Sequence, residues 1–287
     1  MTTTELGMGG SGVVLLGSYC GQNVAVKRFR NAKYCSSFEV EADALVACPS
    51  PFLVRLVAIA GRHSDTPALL FEYMDGGSLR THLEKKRMNE RTPVHVTNLH
   101  VAWVIANALR DLHAKKLVHR DIKSGNILLS SSGEVKLADL GLARLEAASM
   151  TEAPVYGCPA DIYSFGVLLT ELATGQLPYF NQDVQDPIAF TRGVVNGTLR
   201  PTLTTECEPW LRQLAERCLH ADPKARPTAA SIVEMLSVEM AAAPPPGMST
   251  YLHAVATDDV DTVAQLLTHR VPLDWKLPVV ATLITTV

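Results

Sequence analysis

The stretch from His119 to Leu129 constrains the chain most, because it places an acid, a base and an amide directly before an apolar run. Asp121, Lys123 and Asn126 stand at positions i, i+2 and i+5, and Ile-Leu-Leu follows them. On a tight loop this spacing turns three polar groups toward one small volume, while the apolar run anchors the loop as a strand. The sequence therefore predicts a polar site on a loop that a buried strand holds in place.

A second acidic group, Asp139, follows on the far side of a predicted hairpin. Residues 127–129 and 135–138 indicate two short apolar strands, and the Ser-Ser-Ser-Gly sequence between them is typical of a turn. This hairpin would bring Asp121, Asn126 and Asp139 together. Carboxylate and amide oxygens are the ligands that Mg²⁺ prefers in proteins. The sequence thus predicts a magnesium site beside the loop.

Glycines near the N-terminus form a G-x-G-x-x-G pattern at Gly7, Gly9 and Gly12. Glycine lets the backbone approach phosphates closely, so that N–H groups can act as donors to them. A flexible glycine turn between strands is the alternative interpretation. A dinucleotide site would need a helix to follow, but residues 13–16 are Val-Val-Leu-Leu and predict a strand.

The stretches His119-Arg120-Asp121, Asn126 and Asp139-Leu140-Gly141 together resemble the catalytic core of eukaryotic protein kinases. Other parts of that family's pattern occur in the family order over residues 6–240: the glycine pattern continued to Val14, Val-Ala-Val-Lys ending at Lys27, Asp-Ile-Tyr-Ser-Phe-Gly starting at Asp161, and Arg226. The resemblance implies an α+β, two-lobed protein-kinase fold. Residues 1–240 would form the kinase domain, with a small β-rich N-lobe over about 1–73 and a larger helical C-lobe over about 77–240.

The resemblance also implies catalytic and metal-binding roles. Asp121 would accept the proton of the substrate hydroxyl, and Lys123 would stabilise charge on the γ-phosphate of ATP. Asn126 and Asp139 would hold Mg²⁺. An ordinary strand lysine facing solvent is the alternative for Lys27, but its distance past the glycines favours a lysine that positions the α- and β-phosphates.

Residues 38–48 have helical spacing and resemble the family's helix C. The register of that helix selects Glu41 as the partner that orients Lys27, and Glu39 is the alternative partner. A further alternative is that neither carboxylate binds Lys27 and that both face solvent. Phe71 would be the gatekeeper, and the backbones of Glu72 and Met74 would meet the adenine edge. The full set of implied nucleotide-binding residues is Gly7, Gly9, Gly12, Val14, Ala25, Lys27, Glu72, Met74 and Leu128.

One segment departs from the family pattern. Only sixteen residues separate Arg144 from Asp161, and they contain Ala-Pro-Val at 153–155 where the family has Ala-Pro-Glu. The resemblance places peptide docking in this segment. Arg226 normally pairs with the missing glutamate, so the options for it here are Glu152 or no partner.

The C-terminal part of the chain predicts an appendage. Residues 241–248 are rich in proline and alanine and indicate a linker. Residues 249–287 resemble part of an ankyrin repeat, an α-helical fragment that would need a protein partner or a kinase lobe to bury its face. A plain pair of amphipathic helices is the alternative.

Composition excludes several other classes of function. The net charge of −3 gives no electrostatic case for nucleic acid or an anionic membrane. The six cysteines form no C-x-x-C pair and indicate reduced thiols rather than a disulfide or zinc framework. The N-terminus lacks a signal-peptide pattern, and no run of 18 apolar residues occurs, so we expect a soluble, cytoplasmic protein.

The resemblance implies an ATP- and Mg²⁺-dependent protein serine/threonine kinase that phosphorylates protein substrates in intracellular signalling. A lysine two residues after Asp121, as at Lys123, resembles the pattern of serine/threonine kinases. The Asp-Ile-Tyr-Ser-Phe-Gly sequence starting at Asp161 resembles that of the tyrosine-kinase-like group of these enzymes. Arg120 suggests control by phosphorylation, with Ser149 and Thr151 as candidates. The alternatives are a pseudokinase or scaffold module with weak or no phosphate transfer, and an abridged sequence that lacks part of the activation segment.

Overall fold

The computed structural model of the chain describes residues 4–9, 12–29, 35–62, 64, 66–92, 94–146, 157–182, 186–204 and 206–242. The chain divides into two units, residues 1–236 and 237–287, and the second is described only over 237–242. The ankyrin-like fragment at 249–287 lies outside the described residues. So do most of the predicted linker, the Ala-Pro-Val sequence, and Ser149, Thr151 and Glu152.

Five strands near the N-terminus form one antiparallel sheet in the order β1-β2-β3-β5-β4. They are Glu5–Gly9 (β1), Gly12–Tyr19 (β2), Gln22–Phe29 (β3), Leu56–Ala60 (β4) and Ala68–Glu72 (β5). The first three pair with their sequence neighbours through short connections. This local pairing places Lys27 opposite Val14, and the pairing of β3 with the more distant β5 places Leu69 on its other side.

Helix α1 (Cys35–Ala47) packs against strands β4 and β5 of this sheet. Phe38 and Ala42 lie four residues apart and therefore share one face of the helix. Both are buried in a small apolar cluster with Phe29 and Leu69 of the sheet. The rings of Phe29 and Phe38 meet edge to face with 5.4 Å between centroids. The cluster fixes which face of α1 points toward the strands.

The remainder of the chain is mainly helical. Its helices are Leu79–Arg87 (α2), Asn98–Ala114 (α3), Cys158–Thr174 (α4), Pro187–Asn196 (α5), Pro209–Cys218 (α6) and Ala229–Ala242 (α7). Short strands lie between them at Gly77–Ser78 (β6), Leu117–Val118 (β7), Ile127–Leu129 (β8), Val135–Leu137 (β9) and Arg144–Leu145 (β10). Within the described parts of the chain, no helix is both long and apolar enough to cross a bilayer.

Helix α3 forms the centre of the main core. Its Val101, Ile105, Leu109 and Leu112 are at most 1% exposed, and they recur at the three- and four-residue spacing of one helix face. The helix begins at Asn98, because the hydroxyl of Thr97 caps it by accepting from the N–H of His100. Helix α4 packs against α3 and ends at the predicted glycine, Gly175.

The predicted hairpin is present as β8 and β9. Ile127 pairs with Leu137 and Leu129 pairs with Val135, while Gly133 takes a positive φ of 86° in the turn between them. Helix α7 continues to Ala242 and so includes the first two residues of the predicted linker. The two-lobed arrangement of a β-sheet followed by helices therefore agrees with the predicted kinase fold.

Candidate active site

A cavity of about 500 Å³ lies between the N-terminal sheet and the loops that precede and follow the β8–β9 hairpin. Most of the predicted nucleotide- and metal-binding residues line it: Gly7, Gly12, Val14, Ala25, Lys27, Glu41, Glu72, Met74, Asn126, Leu128 and Asp139. Phe71, the predicted gatekeeper, and Leu140 also contribute to its wall. Gly9 pairs with Gly12 where β1 and β2 meet.

Gly7 and Gly12 each lack a side chain for a different physical reason. A Cβ added to Gly7 would meet nothing within 4 Å, so this strand presents bare backbone to the cavity. A Cβ at Gly12 would collide with the carbonyl oxygen of Arg28 on the neighbouring strand. Gly7 therefore suits a close approach of phosphate groups, whereas Gly12 is required by the packing of β2 against β3.

Lys27 lies at the inner wall of the cavity between two carboxylates. Its Nζ donates to Glu41 Oε2 at 2.6 Å and to Asp139 Oδ1 at 2.8 Å. Lys27 is 8% exposed and Glu41 is 1% exposed, so this pair is almost fully removed from water. Glu39, the alternative partner, instead accepts from Arg62 Nε at 3.0 Å on the surface.

Burial and charge act against each other in this group. Burial acts to lower the pKa of Lys27, but the charges of Glu41 and Asp139 together raise it above its usual value. Burial raises the pKa of Glu41 to about 7, against the opposing charge of Lys27. Burial also acts to raise the pKa of Asp139, but Lys27 holds it below the usual range.

The loop before β8 brings the other predicted catalytic groups together. Lys123 Nζ donates to Asp121 Oδ2 at 2.6 Å. The amide nitrogen of Asn126 donates to Asp121 twice, to the backbone oxygen and to Oδ2, both at 2.8 Å. Because the amide nitrogen of Asn126 faces Asp121, its amide oxygen is the atom left to bind a cation.

Asn126 and Asp139 supply oxygen ligands to the same cavity, and this donor set fits Mg²⁺. Asp139 has a positive φ of 67°, which is uncommon for a residue with a Cβ. Its side chain is 41% exposed, so the carboxylate remains accessible from the cavity while Lys27 binds one of its oxygens. Leu140, the residue after Asp139, is 1% exposed and belongs to the main apolar core.

Helix α4 anchors the start of the catalytic loop, defined here as residues 119–126. The carboxylate of Asp161 accepts from the backbone N–H groups of His119 and Arg120 at 2.8 Å and lies 2.9 Å from His113 Nε2. Asp161 is fully buried. The sequence pattern marked this residue but not its partners, which lie more than 40 positions away in the chain.

The hinge, defined here as residues 72–74, contains a contact that no sequence pattern predicted. Glu72 accepts from Lys136 Nζ and from the backbone N–H of Arg55, each at 2.7 Å. Its side chain is therefore held by protein groups. Residues 72–74 line the cavity, in keeping with the predicted recognition of adenine by main-chain groups.

Arg226 has partners even though the expected glutamate is missing. Its Nη1 donates to the carbonyl oxygen of Pro159 at 2.8 Å, and its Nε donates to that of His220 at 2.9 Å. The guanidinium also lies over the ring of Tyr163, 4.9 Å from the centroid. Within the described residues Arg226 thus binds carbonyl oxygens and a ring, and Glu152, the alternative acidic partner, lies outside them.

Comparison with known proteins gives one family. The protein kinase domain family matches residues 1–236. The leaf rust 10 disease-resistance locus receptor-like protein kinase-like 1.4 of Arabidopsis thaliana is 34% identical over 268 residues, covering 81% of this chain and 40% of the relative. Serine/threonine-protein kinase STY17 of the same plant is 30% identical over 253 residues, covering 81% of this chain and 43% of the relative.

A probable serine/threonine-protein kinase of Dictyostelium discoideum is 32% identical over 258 residues, covering 82% of this chain and 27% of the relative. The chain thus spans about two fifths or less of the length of these relatives. Each aligned stretch is longer than the part of the chain it covers, so these relatives have residues without a counterpart here.

Proposed function

The chain belongs to the protein kinase domain family, and from this premise we propose that it is an ATP-dependent protein serine/threonine kinase that uses Mg²⁺. The observation that carries the proposal is Lys27, held between Glu41 and Asp139 at the wall of a cavity that also contains Asn126. The names of the relatives support the serine/threonine type. Assignment to the tyrosine-kinase-like group remains part of the proposal.

Nucleotide binding uses the two faces of the cavity. Val14 and Ala25 from the sheet and Leu128 from β8 supply apolar contacts for the adenine ring. The backbone of Glu72 and Met74 supplies hydrogen bonds to the edge of the ring. Gly7 leaves room for the phosphates beside β1, because it has no side chain and the space that a Cβ would occupy is open.

The charged groups of the cavity orient the phosphates and the acceptor hydroxyl. Lys27 binds the α- and β-phosphates, and Glu41 holds its ammonium group in place. When bound by Asn126 and Asp139, Mg²⁺ neutralises charge on the transferred phosphate and its neighbour. Asp121 accepts the proton of a serine or threonine hydroxyl, while Lys123 is close enough to Asp121 to stabilise negative charge beside it.

The proposal is tested by incubating the chain with radiolabelled ATP, Mg²⁺ and a generic protein substrate. We expect label on serine and threonine but not on tyrosine, and no transfer in the presence of EDTA. Asp139→Asn should lower transfer by about 10²- to 10³-fold, because it removes a metal ligand and a partner of Lys27. Nucleotide binding, detected as a thermal shift, without any transfer would instead favour the binding or scaffold module.

The buried carboxyl of Glu41 gives a pH prediction. Its pKa is raised to about 7, so it gains a proton as the pH falls through 7 and its ion pair with Lys27 is lost. We expect phosphate transfer to decrease about tenfold near pH 6. The effect of the same proton on the stability of the fold is the opposite of its effect on activity. Because the pKa of Glu41 is higher in the folded than in the unfolded chain, its proton stabilises the fold increasingly as the pH falls from about 7 to 4.5.

The control for this profile is Glu39→Gln, which changes an exposed carboxylate on the same helix that binds Arg62. This variant should keep the pH profile of the wild type. Glu41→Gln should give lower activity with no decline near pH 7. A decline of equal size in the Glu41→Gln variant would show that another group causes it.

A further inference from the structure

Helix α4 presents a second buried carboxylate to the catalytic loop. Glu171 lies ten residues after Asp161, which corresponds to about 15 Å along the helix axis. Its Oε1 accepts from the hydroxyl of Ser124 at 2.6 Å, and Ser124 and Glu171 are 2% and 5% exposed. Asp161 therefore holds the start of the loop, and Glu171 holds its end.

Ser124 lies in the chain between two of the proposed active-site residues, Lys123 and Asn126. It follows Lys123 directly and is the first residue of a short 3-10 helix, Ser124–Asn126. The turn closes through a hydrogen bond from the N–H of Asn126 to the carbonyl oxygen of Lys123 at 3.0 Å. A rotation of the turn at Ser124 would therefore move Asn126 relative to Asp121.

Ser124 and Glu171 form a polar pair in a buried place. Burial raises the pKa of Glu171, while the Ser124 hydrogen bond and the charge of Arg80 act in the opposite direction and Glu84 adds to the increase. Arg80 is itself bound to Glu84 at the surface. A buried carboxylate contributes little net stability compared with an apolar pair of similar volume, but it fixes direction, because its hydrogen bond has a defined geometry.

We propose that Ser124 and Glu171 are positioning residues that fix Asn126 and Lys123 against Asp121 for phosphate transfer. The inference rests on the proposed kinase function. The hydroxyl of Ser124 is held by Glu171 of helix α4, and this contact fixes the turn so that Asn126 lines the cavity. Neither residue touches the reacting atoms. Their effect is transmitted through the backbone of the turn.

The first variant is Ser124→Ala, which removes one hydroxyl and is the smallest possible change. We expect kcat to fall about 10- to 100-fold, the size typical when a group that orients a metal ligand is lost. The KM for ATP should change less than twofold. The concentration of Mg²⁺ needed for half-maximal thermal stabilisation by a non-hydrolysable ATP analogue should rise, because Asn126 is less well placed.

Thr170→Val is the matched control. Thr170 is 1% exposed, precedes Glu171 on the same helix, and donates its hydroxyl to the carbonyl oxygen of Val167 within the helix. The variant also loses a buried hydroxyl, but it leaves the catalytic loop untouched. We expect its kcat and Mg²⁺ requirement to match those of the wild type.

A double variant separates positioning from stability. Ser124→Ala combined with Glu171→Leu replaces both partners by apolar groups, which removes the unpaired buried carboxylate. We expect its Tm to recover toward the wild-type value while kcat stays as low as in Ser124→Ala. Glu171→Gln keeps an acceptor for the hydroxyl and should retain most of the activity. Recovery of kcat together with Tm would overturn the positioning role.

The experiment distinguishes the two proposals. If the wild type transfers no phosphate, the kinase function fails, and a raised Mg²⁺ requirement in Ser124→Ala still supports the positioning pair. If the wild type is active and Ser124→Ala keeps its kcat and its Mg²⁺ requirement, the positioning pair is wrong. If the wild type is inactive and the Mg²⁺ requirement is unchanged, both proposals are wrong.

Discussion

Asp121→Asn is expected to lower kcat for phosphate transfer about 10³-fold and to leave the Kd for Mg²⁺-ATP within about twofold of the wild type. The rate falls because an amide cannot accept the hydroxyl proton, and acid–base groups contribute about 10²- to 10⁴-fold. The affinity is kept because Asp121 lies on the loop beside the cavity lining. Lys123 and Asn126 still find an acceptor in the amide oxygen.

The measurements are single-turnover transfer to a protein substrate and nucleotide titration by thermal shift. Asp222→Asn is the matched control, since it makes the same chemical change at the start of a short 3-10 turn, Pro223–Ala225, where asparagine caps as well as aspartate. Its kcat should equal that of the wild type. If Asp121→Asn retained a tenth or more of the wild-type kcat, Asp121 would not be the proton acceptor.

The parts of the site that lie close together in the chain were predictable from the sequence. Short connections join β1, β2 and β3, so the register of Lys27 against the glycine strands follows from local pairing. The hairpin of β8 and β9 has an unambiguous turn sequence and brings Asp139 back beside Asn126. In both cases the geometry depends on fewer than thirty residues.

The choice between Glu39 and Glu41 had a signal in the helix pattern. Phe38, Glu41, Ala42 and Leu45 recur at positions i, i+3, i+4 and i+7, which places Glu41 on the apolar face of α1. A carboxylate on a buried face needs a cationic partner, whereas Glu39 points about 200° around the helix from Glu41. The helix period alone thus selects the residue that contacts Lys27.

Long-range contacts carried no comparable signal. The bonds from His119 and Arg120 to Asp161, from Ser124 to Glu171 and from Lys136 to Glu72 join positions 41 to 64 residues apart. No local periodicity relates such positions, because their approach depends on how α4 and the sheet pack against the loops. The supports of the site therefore became visible only in three dimensions.

Lys27→Met is expected to remove phosphate transfer and to destabilise the fold at the same time. The variant leaves Glu41 as a buried carboxylate without its cation, which costs about 3–5 kcal/mol. For a unit of this size that corresponds to a decrease in Tm of about 10 °C. The loss should be largest above pH 7, where Glu41 is charged, and smaller near pH 6, where it gains a proton.

Thermal denaturation at pH 8 and pH 6 measures this effect. Lys136→Met is the matched control, because Lys136 also forms an ion pair with a glutamate, Glu72, but in a more exposed place. It should lower Tm by a few degrees at most. The double variant Lys27→Met/Glu41→Leu removes both charges, so Tm should recover while nucleotide affinity and transfer stay low. A Tm unchanged by Lys27→Met at pH 8 would mean that Glu41 is solvated, and its raised pKa and the proposed pH profile would then fail together.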